Sequence, residues 1–191
     1  MADLWTFAQR IYACPQLEAA CLYGQDQHQV RVNILLWLIW LGHRQQRLEL
    51  PQLQQATAAI DHWHQQVTLP LRALRRLLKP QVEDDPAAGP VREQIKVAEL
   101  AAEQYELQKL EVLTGQLPWT ADPMALEKNL QCYARACGLP AVVVDRLLLA
   151  CEEALAEGVP GEGSPPEKKP GEEAPRNNPS REVAPGRDEA K

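Results

Sequence analysis

The stretch Val32–Gly42, VNILLWLIWLG, holds a single amide in an otherwise apolar run. Crossing a membrane needs about 20 mostly apolar residues. This run is far shorter, with Arg31 before it and His43 and Arg44 after it. A segment apolar on every side that cannot span a bilayer must be enclosed by its own protein, as a helix among helices. A buried strand is the rival reading of a short apolar run, but the neighbouring patterns are helical and no hairpin signal flanks it. Val32–Gly42 is therefore expected to be a central helix, with Trp37 and Trp40 mostly buried, and the remainder of the chain must wall it in.

The walls are legible as capped, periodic segments. Leu4, Phe7, Ala8, Ile11 and Tyr12 share one helical face behind Asp3, a natural N-cap whose carboxylate accepts from free backbone N–H groups. Pro15 suits the first turn of a second helix over Gln16–Tyr23, with Gly24 as its end. Leu53, Ala56, Ile60, Trp63 and Val67 recur at steps of three and four after the central helix. Pro70 opens LPLRALRRLLK, which should stop before Pro80, and QVEDDPAAGP should be a loop. Val91–Leu113 is the longest uninterrupted helical pattern, closed by Gly115. Asp122-Pro123 opens a helix that Gly138 ends. Leu139-Pro140 opens the last one, with Val143, Val144, Leu147, Cys151 and Leu155 on its apolar side. At Gly158 the composition shifts to Pro, Gly, Glu and Lys. Such a segment cannot bury enough apolar surface to offset an ordering cost of about 1–2 kcal/mol per residue. The expected architecture is all-α: a single helical bundle of about seven to eight helices over residues 1–157, with 158–191 a disordered tail.

Charge and cysteine content narrow the classes. The net charge is −6, so nucleic acid or an anionic membrane could be met only by a local patch. Five cysteines without a C-x-x-C pair read as reduced packing residues, not a disulfide framework. MADLWTFAQR lacks the cationic and apolar segments of a signal peptide, which makes the cytoplasm the expected location.

Two surfaces stand out. Arg72, Arg75, Arg76 and Lys79 lie at i, i+3, i+4 and i+7, so four cations share one helix face opposite Leu71, Leu74, Leu77 and Leu78. They could grip phosphates, anionic lipid or an acidic protein, or be solvated and partly neutralised by Glu83, Asp84 and Asp85. Gln25, Asp26 and Asn33 form the second candidate, a small polar site at one end of the bundle. Asn33 needs a partner, because a buried unpaired amide costs about 1–3 kcal/mol. Its bland reading is a tie between helices. His62 and His64 point about 200° apart on a helix and cannot share one ion, so they are read as polar neighbours of a buried Trp63. The cysteines have no recognisable base nearby. No metal, cofactor or catalytic set is expected.

The segments Leu4-Trp5, Phe7, Tyr12, Ala20-Cys21-Leu22, Gln25-Asp26 and Val32-Asn33 before LLWLIWLG, with PLRALRRLLK from Pro70 and REQIKVAELAAEQ from Arg92, carry a resemblance. Together they resemble an uncharacterised proteobacterial family of helical hypothetical proteins, over roughly residues 4–113. The chain departs from that pattern at Gln29–Arg31, where Gly-x-Asp would precede Val-Asn. Losing such a cap costs about 1 kcal/mol, and Asn33 or Gln29 could substitute. The resemblance implies a helical fold and a bacterial origin and brings no activity. The expected function is a non-enzymatic cytoplasmic interaction or regulatory protein with a protein partner. The alternatives are an enzyme or small-ligand protein using Gln25, Asp26 and Asn33, and a weak binder of nucleic acid or anionic membrane through residues 71–79. Homodimerisation is open through the long helix, where Leu100 and Leu107 point away from the main stripe. Internal packing of both leucines is the favoured reading.

Overall fold

The computed structural model describes residues 3–158, with side chains to residue 156. Its helices are α1 (Leu4–Tyr12), α2 (Pro15–His28), α3 (Val32–His43), α4 (Leu50–Trp63), α5 (Leu69–Asp84), α6 (Gly89–Thr114), α7 (Ala125–Cys137) and α8 (Ala141–Gly158). A π-turn over His64–Thr68 joins α4 to α5 without a break. The only strands among the described residues are β1 (Gln46–Arg47) and β2 (Thr120–Ala121), antiparallel, with Gln46 opposite Ala121. The all-α expectation holds. The expected tail lies outside the described residues, apart from Gly158 at the end of α8. Among the described residues no helix is long and apolar enough to cross a membrane.

Helix α3 is the axis. Every residue from Asn33 to Gly42 is buried, Trp37 completely and Trp40 to 4% exposure. Around it pack α1, α2, α6 and α7. Gly42 admits α7 at very short range: a Cβ there would sit 2.5 Å from Leu126 Cα. Polar ties fix the register of this packing. Trp37 Nε1 donates to Thr114 Oγ1 at 2.8 Å, locking α3 to the end of α6. Asn129 on α7 accepts from the Leu48 N–H at 2.7 Å and donates to the Gln46 carbonyl at 3.0 Å. Asp3 caps α1 as expected, accepting from the Thr6 N–H at 2.7 Å. Gly138 ends α7 in the left-handed region at φ 68°.

Five expectations are corrected. Gly24 does not end α2; it lies buried one turn from the end, pressed on Val30, and Gln29 takes the left-handed position at φ 55°. Pro80 does not end α5, which runs on to Asp84. Pro80 is solvent-exposed, so water can satisfy the carbonyl its ring leaves without a partner. The expected loop shrinks to a 3₁₀ turn at Pro86–Ala88, where the Asp85 carboxylate accepts from the Ala87 N–H. The π-turn shifts the inward face by one position, burying His64 and Thr68 while Trp63 and Val67 are only partly covered. Lastly, Leu107 is buried at 1% exposure, whereas Leu100 is 49% exposed.

Candidate functional site

The helices enclose a groove of about 440 Å³. Its floor is Val32, Asn33 and Leu36 of α3 with Leu107 of α6. Trp5, Ala8 and Tyr12 of α1 and Leu22 and Gln25 of α2 form one wall. Arg72, Arg75 and Arg76 of α5 face them, beside Lys96, Glu99, Leu100 and Glu103 of α6. The tertiary fold thus brings the two sequence candidates, the basic helix face and the polar site, to one place. Lys79 is left outside the groove, and Asp26 reaches it only through Arg76.

The cations are held by partners that the sequence reading did not name. Arg72 Nε donates to Glu99 at 2.9 Å, its Nη1 to Gln25 Oε1 at 2.7 Å, and its Nη2 pairs with Glu103. Arg75 pairs with the same Glu99, and Arg76 donates to Asp26 at 2.7 Å. So α6 and α2 supply the counter-charges, not Glu83, Asp84 and Asp85, because α5 turns its basic face inward onto α6. Glu99, Glu103 and Glu106 recur at steps of four and three on α6, opposite Arg72 and Arg75 at a step of three. That matched acidic stripe was a readable signal for the pairing.

Environment sets the carboxyls apart. Burial pushes Glu99 up, but the hydrogen bonds and charges of Arg75 and Arg72 outweigh it and hold the group below its ordinary value. The Arg76 hydrogen bond, with its charge, lowers Asp26. For Glu103 burial dominates, and its carboxyl sits above the ordinary value despite Arg72. Burial also raises the Tyr12 phenol, on the opposite wall.

Behind the floor lies a buried polar cluster. Asn33 Nδ2 donates to Glu106 Oε2 at 2.7 Å, and Glu106 Oε1 accepts from Thr68 and contacts His64 Nδ1 at 3.0 Å. The π-turn sets His64 and Thr68 on one carboxylate oxygen; single π-turns inside helices, wider than an α-turn, often occur at functional sites. His64, expected as a polar neighbour of a buried Trp63, is itself buried against Glu106, while Trp63 is only partly covered. No cluster of metal-ligating side chains occurs among the described residues. The cysteines are all free, four buried and Cys137 exposed.

The departure at the start of α3 is also resolved. Arg31 makes no cap; its N–H donates to the Tyr133 hydroxyl at 2.9 Å, and its guanidinium pairs with Asp61. Asn33 and Gln29 do not cap either, the one engaged by Glu106 and the other ending α2.

Fold and site together define a helical-bundle protein with a charged, apolar-floored groove between its first two helices and a long helical hairpin. The chain belongs to the family described as "Protein of unknown function (DUF2390)", whose model matches residues 3–110. The match takes in every groove residue from Trp5 to Leu107, and leaves α7 and α8 outside. Comparison with curated proteins and with solved structures finds no match.

Proposed function

We propose that this is a non-enzymatic, regulatory binding protein of the bacterial cytoplasm that engages its target through the groove. The observation that carries the reading is convergence: residues from five helices, including Arg72, Arg76, Gln25 and Asn33, meet at one opening. Charges fixed by internal pairs suit recognition, because they are pre-organised and lose little freedom on binding. Leu22 and Leu100, 40% and 49% exposed, offer apolar contact at the walls. The test is purification of the full chain from its own cells, with bound proteins and small molecules identified by mass spectrometry. Leu100→Glu alters an exposed groove residue and should strip the specific companion from the protein. An identical companion set for wild type and variant would sink the reading.

A second reading, an enzyme or ligand protein that exchanges a proton, is favoured by Glu103 alone. A carboxyl raised by burial beside a ligand-sized opening is a recognised mark of reactive sites. Glu103→Gln should then stay folded and lose turnover or ligand-induced thermal stabilisation in a metabolite screen. Unchanged behaviour removes this reading. Binding of nucleic acid or anionic membrane by residues 71–79 is left as a weak activity, since Arg72, Arg75 and Arg76 already hold carboxylates.

A further inference from the structure

We infer that the groove takes a small anionic amphiphile, with an apolar body on the floor and one carboxylate or phosphate at the rim; this rests on the groove reading above. Size comes first. About 440 Å³ falls within the range of small-molecule sites, about 300–1,000 Å³.

The floor suits an apolar body. Val32, Leu36 and Leu107 lie at its base, with Trp5 beside them. Leu22 and Leu100 line the same opening yet keep much of their surface in water, which an occupant would remove.

The sign of the head group follows from which donors are engaged. Each of the three nitrogens of Arg72 donates to a different acceptor, and its side chain is only 12% exposed. Arg75 commits Nε and Nη2 to Glu99, leaving Nη1 without a bond to the described residues. Arg76 commits only Nη2, to Asp26, and Lys96 meets only Glu93, at 3.5 Å. These three side chains are 28%, 52% and 61% exposed, so their free N–H groups stand at the rim. Against them, Glu99 and Glu103 are already held by arginines, and Glu18 is the remaining carboxylate of the lining. Three side chains with free donors at the rim, against the one unpaired carboxylate of Glu18, favour an anion. The guanidinium fork matches carboxylate or phosphate geometry.

Isothermal titration of the full chain tests this with dodecanoate and dodecyl phosphate below their micelle concentrations. Dodecanol, dodecyltrimethylammonium and inorganic phosphate serve as comparisons. The expected result is one anionic amphiphile per chain, with the neutral, cationic and headgroup-only probes at least about tenfold weaker. Arg76→Gln and Lys96→Gln alter exposed side chains. Each should weaken the anions about tenfold, the scale of one charge-assisted hydrogen bond, and leave dodecanol unchanged. Leu100→Glu should weaken both anionic amphiphiles, whereas Leu149→Glu, an exposed position on α8 outside the groove, should not. Equal binding of all the dodecyl probes, or binding indifferent to the groove variants, overturns the inference. If no probe binds while Leu100→Glu still strips a cellular companion, the inference fails and the groove reading stands. If Leu100→Glu changes neither, both fail.

Discussion

Glu106 is wholly buried and takes Asn33, Thr68 and His64 on its two oxygens. Removing it strands those partners in the core, so Glu106→Ala should cost about 3–5 kcal/mol in urea unfolding at neutral pH. Burial pushes its carboxyl up, but the bonds from His64, Thr68 and Asn33 prevail, and the folded value lies below the ordinary 4.5. The unfolded chain therefore takes up the proton first. The stabilisation is complete above about pH 4.5 and is lost as pH falls toward the folded value. Glu99 acts with the same sign and Glu103 with the opposite one. Glu106→Gln should flatten this acid limb in urea titrations run from pH 7 to 3, and an unaltered limb would contradict the assignment. Thiol chemistry gives a second residue-scale outcome. Native protein should show one accessible thiol, Cys137, the other four appearing only on denaturation because they are buried. The partners of Asn33 were not legible in the sequence, because Glu106 is about seventy positions away and looks like any other acid of a charged helix.

Helix α5 inverts the usual amphipathic rule. Arg72 and Arg75 face α6, while Leu74 and Leu77 are 42% and 60% exposed, and none of its residues is fully buried. Position on the hairpin explains this: α5 packs mainly on α6, whose facing stripe is acidic, so ion pairs rather than leucines fill the contact. The same logic separates the two leucines of α6. Leu107→Glu should cost more than about 4 kcal/mol because an uncompensated charge enters the core. Leu100→Glu should stay within about 0.5 kcal/mol of wild type in the same denaturation series. Equal destabilisation would show that the α6 orientation is wrong. At Gly42, α3 meets α7 at very short range. Gly42→Ala drives a Cβ into the Leu126 backbone, which cannot move aside as a side-chain tip can, and should cost at least about 2 kcal/mol by thermal melting. A melting curve like that of wild type would refute this packing.

The whole molecule carries −6, and three of the four cations at 72–79 are neutralised internally. Phosphate contacts drive the salt-dependent part of DNA affinity, so fluorescence anisotropy should detect no duplex binding at about 200 mM salt. Submicromolar affinity under those conditions would restore the basic helix as a nucleic-acid surface. The all-α class, the enclosure of Val32–Gly42 and the places of most helices were determined by the sequence alone. The reason is that apolar periodicity, N-caps and Pro–Gly punctuation act within a few residues of one another. Two local signals misled, Gly24 and Pro80: a buried close approach wanted the glycine inside α2, and solvent exposure made the proline tolerable within α5. The groove itself could be decided only by the tertiary structure. Which face of α5 turns inward, which acid meets Arg72, and whether Gln25 and Asn33 share an opening with Arg76 all depend on contacts between distant segments. Those contacts exist only once α6 is laid across α1, α3 and α5.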